Sequence, residues 1–285
     1  MKLPMTHIPS SGWHARLQLG FTDNQGKTEF NCGQSQAPLK VQRPFYPEGN
    51  RICHSAILHT AGGVVGGDRL EIDLDVAPQA HALVTTVAAS KIYRSLGSTA
   101  QQAIAIAIAS QAVLEWLPQE TILFNGADFR TQTRVDLAPG AVFLGWDLTR
   151  LGRTARGERF SQGQWRSQLE VWQNGLPLWI DRSGLTGGSP LLESPYGLAG
   201  QPVIGTLVWL GKSLDALEMK ALRELEIVNF HEFCQVGMTF LPDGLICRYR
   251  GRSTTEAKRW FITIWRHLRR QTWGLDTQPS RLWPV

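Results

Sequence analysis

Apolar residues recur at every second position in several separate runs of this chain. The runs are Trp13, Ala15, Leu17, Leu19 and Phe21; Leu70, Ile72, Leu74 and Val76; Ile104, Ile106 and Ile108; and Leu245, Cys247 and Tyr249. Successive side chains of a β-strand point to opposite faces, so each run predicts a strand with one buried face. Gly, Pro, Asn and Asp interrupt these runs at intervals of roughly ten residues, as in all-β proteins. The alternation therefore predicts a mainly β fold.

A weak internal repeat indicates how the strands are arranged. Residues 76–83 resemble residues 137–144, a looser copy occupies residues 108–114, and the copies begin 32 and then 29 residues apart. In each copy a strand ends, a short turn follows, and a strand resumes. Such units can stack so that each covers the apolar face of its neighbour, which predicts a layered or helical β-strand stack. The alternative is coincidence, because hairpins commonly share this turn chemistry.

Two segments in the C-terminal half have the apolar spacing of amphipathic helices. The first is predicted to begin near Ser213 as its N-cap, with a face formed by Leu214, Leu217, Ala221 and Leu225. The second opens with the capping-box pattern Ser253-Thr254-Thr255-Glu256 and has the stripe Ala257, Phe261, Ile264 and Leu268. His267, Arg269 and Arg270 suit the negative pole of its dipole. No Pro- or Ser-rich linker separates helices from strands, so we expect one domain over residues 1–285.

Composition narrows the class of protein. The chain has 285 residues, of which 42% are apolar, and no run approaches the roughly 20 apolar residues of a membrane-spanning helix. Pro4, His7 and Pro9 interrupt any apolar segment of a secretory signal. The four cysteines, Cys32, Cys53, Cys234 and Cys247, form no CxxC pair, which predicts reduced structural thiols in a cytoplasmic protein. A metal role for Cys53 beside His54 is the alternative.

The positive charge of the chain is concentrated in two segments. The net charge is +5, and eight basic residues with one acid fall between Arg248 and Arg270, while five arginines fall between Arg150 and Arg166. Such segments attract acidic protein faces or polyanions, although an ordinary solvated surface is an equal interpretation. No recognised nucleic-acid-binding motif accompanies the charge, so we expect no nucleic-acid partner.

The glycine segment ending in Asp68 is the most unusual motif. Four glycines between Gly62 and Gly67 predict tight turns or a close approach of the backbone to another segment. A phosphate loop requires Lys and Ser/Thr after its last glycine, whereas Asp68 follows here. The segment therefore predicts a turn that presents Asp68 to a partner, to a metal or to its own backbone.

Other catalytic or metal-binding motifs are missing from the sequence. It has no GxSxG, no HExxH and no His or Cys pair at metal-ligand spacing. His54 with His59, and His231 with Glu232, are more typical of structural residues than of ligands. The charged segment Gly152–Glu158 predicts an exposed loop. This pattern favours a binding or scaffold protein over an enzyme.

Several motifs together resemble the urease accessory protein family called UreD or UreH. They are Gly12–Leu17, Pro38–Gly49, Gly62–Leu70, Thr85-Thr86, Lys91–Ser95, Leu114–Ile122, Gly145-Trp146, Gly152–Glu158, Arg248–Gly251 and Trp265. Each is weak alone, but their order extends over most of the chain. One departure is His59-Thr60-Ala61, where the family pattern has His-Pro-Pro, and we expect a looser entry to the glycine turn.

The resemblance implies a fold and a function that spacing does not supply. The fold would be a β-rich helical stack with two helices, and the protein would be a non-catalytic scaffold or metallochaperone for urease maturation. Its partners would be a UreF-type helical protein, a UreG-type GTPase recruited through the complex, and apo-urease, with no membrane partner. GTP hydrolysis would belong to the GTPase. No cofactor would be tightly bound, and Ni²⁺ would pass transiently, in one proposed mechanism through a water-filled passage in this subunit.

The resemblance also suggests individual residues. Asp68 and Glu158 are the predicted metal-passage residues, and Arg153 is the predicted partner contact. A carboxylate after glycines also commonly caps its own turn. The alternatives outside the family are an uncharacterised β-rich hydrolase or nucleotide enzyme and a nucleic-acid-binding protein.

Overall fold

The computed structural model describes residues 12–225, 234–275, 280, 282 and 283. The predicted absence of a signal at Pro4–Pro9 and the pair His231-Glu232 lie outside this part of the chain.

Strands dominate the described residues, and two helices follow late in the chain. The strands are β1 (His14–Asn24), β2 (Lys27–Gln36), β3 (Leu39–Val41), β4 (Ile52–His59), β5 (Arg69–Val76), β6 (His81–Thr86), β7 (Ser90–Ile92), β8 (Ala100–Ile108), β9 (Val113–Leu117), β10 (Thr121–Leu123), β11 (Asp128–Leu137), β12 (Val142–Leu151), β13 (Gln164–Gln173), β14 (Leu176–Thr186), β15 (Val203–Leu210), β16 (Gln235–Leu241) and β17 (Gly244–Gly251). The helices are α1 (Ala216–Glu224) and α2 (Thr254–Trp273).

The chain passes back and forth between two sheets. Sheet A has the order β14-β13-β11-β8-β5-β1-β2, and sheet B has the order β16-β17-β15-β12-β9-β6-β4-β3. Apart from the short strands β7 and β10, which pair with each other and join sheet B through β12, the strands from β4 to β13 alternate between the sheets. Their central pairings are parallel, as in β5 with β8 and β6 with β9. Each turn therefore adds one strand to each of the two sheets. This confirms the predicted helical β-strand stack, which makes four turns between β4 and β13.

The internal repeat forms one corner of the stack, which we call the alanine corner (residues 77–80, 109–112 and 138–141). In each turn the last alanine donates its N–H to the carbonyl of the first, at 3.1–3.2 Å. The next residues join successive turns: Val113 N donates to Ala80 O at 2.9 Å, and Val142 N donates to Ala112 O at 3.0 Å. Ala80, Ala112 and Ala141 are fully buried. The repeat is thus a structural period, since equal turns keep the strands in register.

The predicted strand faces are buried, with one exception. The inward residues of β1, β5, β8 and β17 form the two apolar cores, one between the sheets and one between sheet B and α2. Trp13, however, precedes β1 and is 56% exposed, so its assignment to the buried face was wrong. Its backbone pairs with the next turn, since Arg69 N donates to Trp13 O at 2.8 Å, and this pairing leaves the indole outside.

The two helix predictions had different outcomes. For α2 the N-cap is Ser253, which accepts from Glu256 N at 3.2 Å, and Ala257, Phe261, Ile264 and Leu268 are buried as predicted. For α1 the predicted cap was wrong. Asp215 caps the helix through a reciprocal pair with Glu218. Asp215 Oδ1 accepts from Glu218 N, and Asp215 N donates to Glu218 Oε2, both at 2.8 Å.

The predicted apolar face of α1 was also partly wrong. Leu217 is 78% exposed, whereas Leu222 is fully buried and Leu214 and Leu225 are partly buried against the core. The later start of the helix moves Leu217 into the first turn, which faces away from the core.

No helix in the described part of the chain is long and apolar enough to cross a membrane.

The alanine corner yields a stability prediction. Gln79 occupies the left-handed region at φ 67°, the position that Gly140 fills in the third copy. A side chain there costs roughly 1–2 kcal/mol, part of which glycine's greater unfolded-state freedom offsets. We expect Gln79→Gly to raise the free energy of unfolding by about 0.5–1 kcal/mol in urea titration. Gln101→Gly, at an exposed position in strand β8, should lower it; a decrease for both variants would contradict this account.

Candidate functional site

The glycine segment and the charged segment Gly152–Glu158 lie along a second edge of the stack. We call this edge the glycine corner (residues 60–68, 93–99, 124–127 and 152–163). Backbone hydrogen bonds of 2.9 Å join its turns, from Tyr93 N to Val64 O and from Ser95 N to Gly126 O. A Cβ on Gly66 would lie 2.5 Å from Ser95 Oγ, so only glycine allows this approach. The close backbone approach predicted for the glycine segment is confirmed.

Asp68 lies at the end of the first turn of the glycine corner, and its side chain is buried. Its Oδ1 accepts from Trp13 N and its Oδ2 accepts from Val65 N, both at 2.9 Å. Each carboxylate oxygen therefore satisfies a backbone donor, and the side chain ties the glycine turn to the residue before β1.

The entry to this turn is held by the residue that departs from the family pattern. Thr60 donates both its N–H, at 2.8 Å, and its Oγ1 hydroxyl, at 3.1 Å, to Pro38 O. His59 Nδ1 lies 3.1 Å from Ala61 O. The expected loosening at His59-Thr60-Ala61 is thus offset by hydrogen bonds that a proline at position 60 would not donate.

Glu158 and Arg153 form a partly exposed pair in the fourth turn of the glycine corner. Glu158 accepts from the Arg153 guanidinium, with a Nε distance of 3.0 Å, and from Asn125 N at 3.1 Å. The hydrogen bond from Arg153 is the main reason that the pKa of Glu158 lies below its usual value. The guanidinium also lies 4.3 Å from the Phe124 ring, which meets Tyr93 edge to face. The structure therefore brings Arg153 and Glu158 together, while Asp68 belongs to the first turn.

Between the two sheets lies a cavity of about 410 Å³, which follows the stacking direction from β3 and β5 to β12 and β13. A second cavity of about 540 Å³ continues from β12 and β13 to β14, β15 and β17. Both are lined by Asp147, Thr149, Trp165, Ser167 and Leu169. The first cavity has polar inward residues, including Gln102, Thr131 and Thr133, at positions that strand alternation usually gives to apolar side chains. Together they form an interior space along the stack, in which polar side chains lie among apolar ones.

Two carboxylates line the second cavity, and one of them, Asp147, also lines the first. Burial raises the pKa of Asp147 to about 6, and the nearby negative charge of Asp181 adds to this effect. Ser167 Oγ lies 3.5 Å from Asp147 Oδ2. Asp181 Oδ2 is 2.8 Å from Arg248 Nη1, which also donates to Thr206 Oγ1 at 3.1 Å. The interior thus holds two neighbouring acids with one cation beside them.

A separate buried network fixes α2 to sheet B. Arg269, which is fully buried, lies 2.9 Å from Glu48 Oε2 and 3.4 Å from Glu115 Oε1. His81 Nε2 lies 2.6 Å from the same Glu115 oxygen, and His54 Nε2 lies 2.7 Å from Glu48. Burial alone would raise the pKa of Glu115, but the Arg269 charge and the His81 hydrogen bond lower it to about 2.

Metal-binding geometry is limited in the part of the chain that the structure describes. Within those residues, no group of three or more His, Cys, Asp or Glu side chains is placed to hold a metal ion. All four cysteines are unpaired, and burial raises the pKa of Cys53 and Cys247. These thiols are therefore poor sources of the thiolate that binds metals.

Comparison with known proteins decides the family. The model of the UreD urease accessory protein family matches residues 14–284. The chain belongs to the UreD family. The urease accessory protein UreD of Trichormus variabilis is 53% identical over 275 residues, which cover 96% of this chain and 97% of that protein. The corresponding protein of Azoarcus sp. is 40% identical over 277 residues, covering 97% and 96%.

Membership in the UreD family settles the class of function. The protein is a non-catalytic accessory protein of urease maturation, which confirms the predicted scaffold over the hydrolase and nucleic-acid alternatives. UreD proteins work with urease and other accessory proteins and take part in nickel insertion.

Sequence reasoning missed the interior acids and the buried network of this UreD protein. The signal for the cavity was present: Thr131 and Thr133 are in phase with the buried Phe129 and Val135 on β11, so they had to face inward. The network gave no local signal, because Arg269 is separated from Glu48 by 221 residues.

The buried network yields a prediction for the fold of this UreD protein. Arg269→Met leaves Glu115 buried without its main counter-charge, so we expect the free energy of unfolding to fall by about 3–5 kcal/mol. Arg266→Met, on the exposed side of the same helix, should change it by less than about 0.5 kcal/mol. Adding Glu115→Gln to Arg269→Met should restore part of the loss in urea unfolding. A loss below 1 kcal/mol for Arg269→Met would contradict the assigned role.

Proposed function

We propose that this UreD protein supports nickel insertion by giving Ni²⁺ a polar route between its two sheets, with Asp147 and Asp181 as a transient binding point. The observation that carries the proposal is the pair of adjoining cavities that share Asp147, Thr149 and Ser167. A volume of about 410 Å³ accommodates a hydrated ion, since one water takes about 30 Å³ of liquid volume.

The chemistry of the acidic pair suits transit rather than storage. Carboxylate, hydroxyl and water oxygens are weaker ligands for Ni²⁺ than imidazole or thiolate, so an ion held by them is released easily. Once Asp147 ionises, above pH 6, it is repelled by the negative charge of Asp181, and a divalent cation relieves that repulsion. Arg248 already supplies one positive charge to Asp181, which limits the attraction for the ion.

The sequence-predicted residues enter the proposal differently. Arg153, whose side chain is 39% exposed, is proposed as a partner contact. The passage roles of Asp68 and Glu158 stay predictions, while the hydrogen bonds of both carboxylates support a part in shaping the glycine corner.

The proposal extends to partners and setting. The chain would act as one domain over residues 1–285 in the cytoplasm and would join a UreF-type protein, a UreG-type GTPase and apo-urease. The family match over residues 14–284 supports one domain, and four unpaired cysteines suit a reducing compartment. No cofactor is required by this role, because Ni²⁺ is the cargo.

The proposed function is tested by activation of apo-urease. We expect apo-urease produced with the other accessory proteins and this chain to hydrolyse urea after nickel is added at a limiting concentration. The same mixture without the chain should be activated far less. Equal urea hydrolysis with and without the chain would exclude the proposed role.

The route itself is tested at its acidic point. Because the folded state raises the pKa of Asp147 from 3.8 to about 6, ionisation costs stability as the pH rises through 6. Asp147→Asn should therefore increase the free energy of unfolding at pH 8, by about 3 kcal/mol, and have little effect at pH 4. The same variant should lower nickel-dependent urease activation several-fold.

The matched control is Asp136→Asn, an exposed aspartate of β11. It should leave both stability and activation near the unsubstituted values. A stabilised Asp147→Asn protein that activates urease fully would remove Asp147 from the route, although it would leave the scaffold role intact.

A further inference from the structure

The glycine corner exposes large apolar side chains. Trp13, Val65 and Leu96 are 56%, 47% and 99% exposed. Val65 lies in the first turn and Leu96 in the second, and these turns touch, since a Cβ on Gly66 would meet Ser95 Oγ. Trp13 is joined to the same place by its hydrogen bond to Asp68. Clustered exposed apolar residues of this kind are typical of interaction sites.

Exposed cations lie on the neighbouring turns and on strand β7. Lys91, Arg94 and Arg156 are exposed, and none of them forms an ion pair with another of the described residues. The Arg94 side chain lies across the third turn, where a Cβ on Gly126 would be 2.8 Å from its Cγ.

The acidic residues of the same corner do not cancel this charge. Asp68 is buried against backbone donors, and Glu158 is paired with Arg153. The net charge presented to a partner is therefore positive.

Contacts between successive turns hold the corner together. Its turns are joined by backbone hydrogen bonds, Tyr93 meets Phe124 edge to face, and the Arg153 guanidinium lies over the Phe124 ring. Tyr93 Oη further donates to Gly62 O at 2.9 Å. A surface that is ordered before binding loses less conformational entropy when it meets a partner.

We propose that the glycine corner is a docking surface for an acidic protein face with an apolar centre. Trp13, Val65 and Leu96 would fill that centre, and Lys91, Arg94 and Arg156 would meet carboxylates around it. A nucleic acid fits less well, because its phosphates would leave Val65 and Leu96 against charged groups.

The position of this surface links it to the interior route. Gly62 and Gly63 of the corner, and Lys91 of the adjoining strand β7, line the first cavity. A protein seated on the corner would therefore lie over this end of the cavity. The docking proposal depends only on the surface residues. Its link to nickel transfer rests on the proposed function.

The test compares charge reversal at the corner with reversal elsewhere. Lys91→Glu combined with Arg94→Glu, and separately Leu96→Asp, would be measured for binding to purified apo-urease and to the purified UreF-type protein at low and high salt. We expect at least a tenfold loss of affinity for one of these proteins in both variants. The double charge variant should also lose most of the salt dependence of binding.

The matched controls are Arg266→Glu on the exposed side of α2 and Leu176→Asp, whose unsubstituted side chain is 70% exposed at the β13–β14 hairpin. Both controls should bind like the unsubstituted chain, and all variants should have unchanged thermal unfolding. Unchanged binding of both proteins by the corner variants would overturn the proposal, as would an equal loss in the controls. Retention of the unsubstituted chain by RNA or DNA in preference to both proteins would also overturn it.

The outcome is distinguishable from failure of the interior route. If Asp147→Asn activates urease fully while the corner variants lose a partner, the docking surface stands and the route does not.

Discussion

Parallel strand pairing between successive turns is the constraint on which the rest of this protein depends. A parallel ladder keeps its register only if every turn starts the next strand at the same position along the strand direction. The alanine corner meets this requirement with equal turns at residues 77–80, 109–112 and 138–141, each closed by the same hydrogen bond. With the register fixed on that side, the glycine corner is free to vary in length, from four residues at 124–127 to twelve at 152–163. The variable side carries the exposed cations and apolar residues, so the stack separates a structural edge from the edge proposed for docking.

The distribution of charge in space differs from its distribution along the chain. The basic segment between Arg248 and Arg270 is the most cationic by sequence, yet several of its members are used internally. Arg269 is fully buried against Glu48 and Glu115, Lys258 is 3.2 Å from Glu120, and Arg248 is paired with Asp181. The glycine corner carries fewer basic residues, but its acids are already satisfied. Charge available to a partner therefore depends on pairing, which the count of basic residues does not reveal.

Local patterns predicted the fold well because the forces behind them are local. Alternation located the buried faces of β1, β5, β8 and β17, the repeat located one corner, and the Ser253 cap located the start of α2. The α1 cap failed because Ser213 and Asp215 are both acceptable N-caps, and only the match between Asp215 and Glu218 selects one. Trp13 continues the alternation of β1, but the strand begins one residue later, at His14, and the alternation alone does not show where a strand begins.

The candidate site was less predictable because its members come from distant segments. Asp68 was recognisable from its glycines, whereas Asp147 and Asp181 become a pair only when β12 and β14 enclose one cavity. An acid whose pKa is raised to about 6 by burial and by a second carboxylate destabilises the fold at neutral pH. A hydrophobic side chain at that inward position would remove the penalty and fill the cavity. The cost is reasonable if the interior has to admit a cation and release it again, because the repulsion that weakens the fold also draws a divalent ion to the pair.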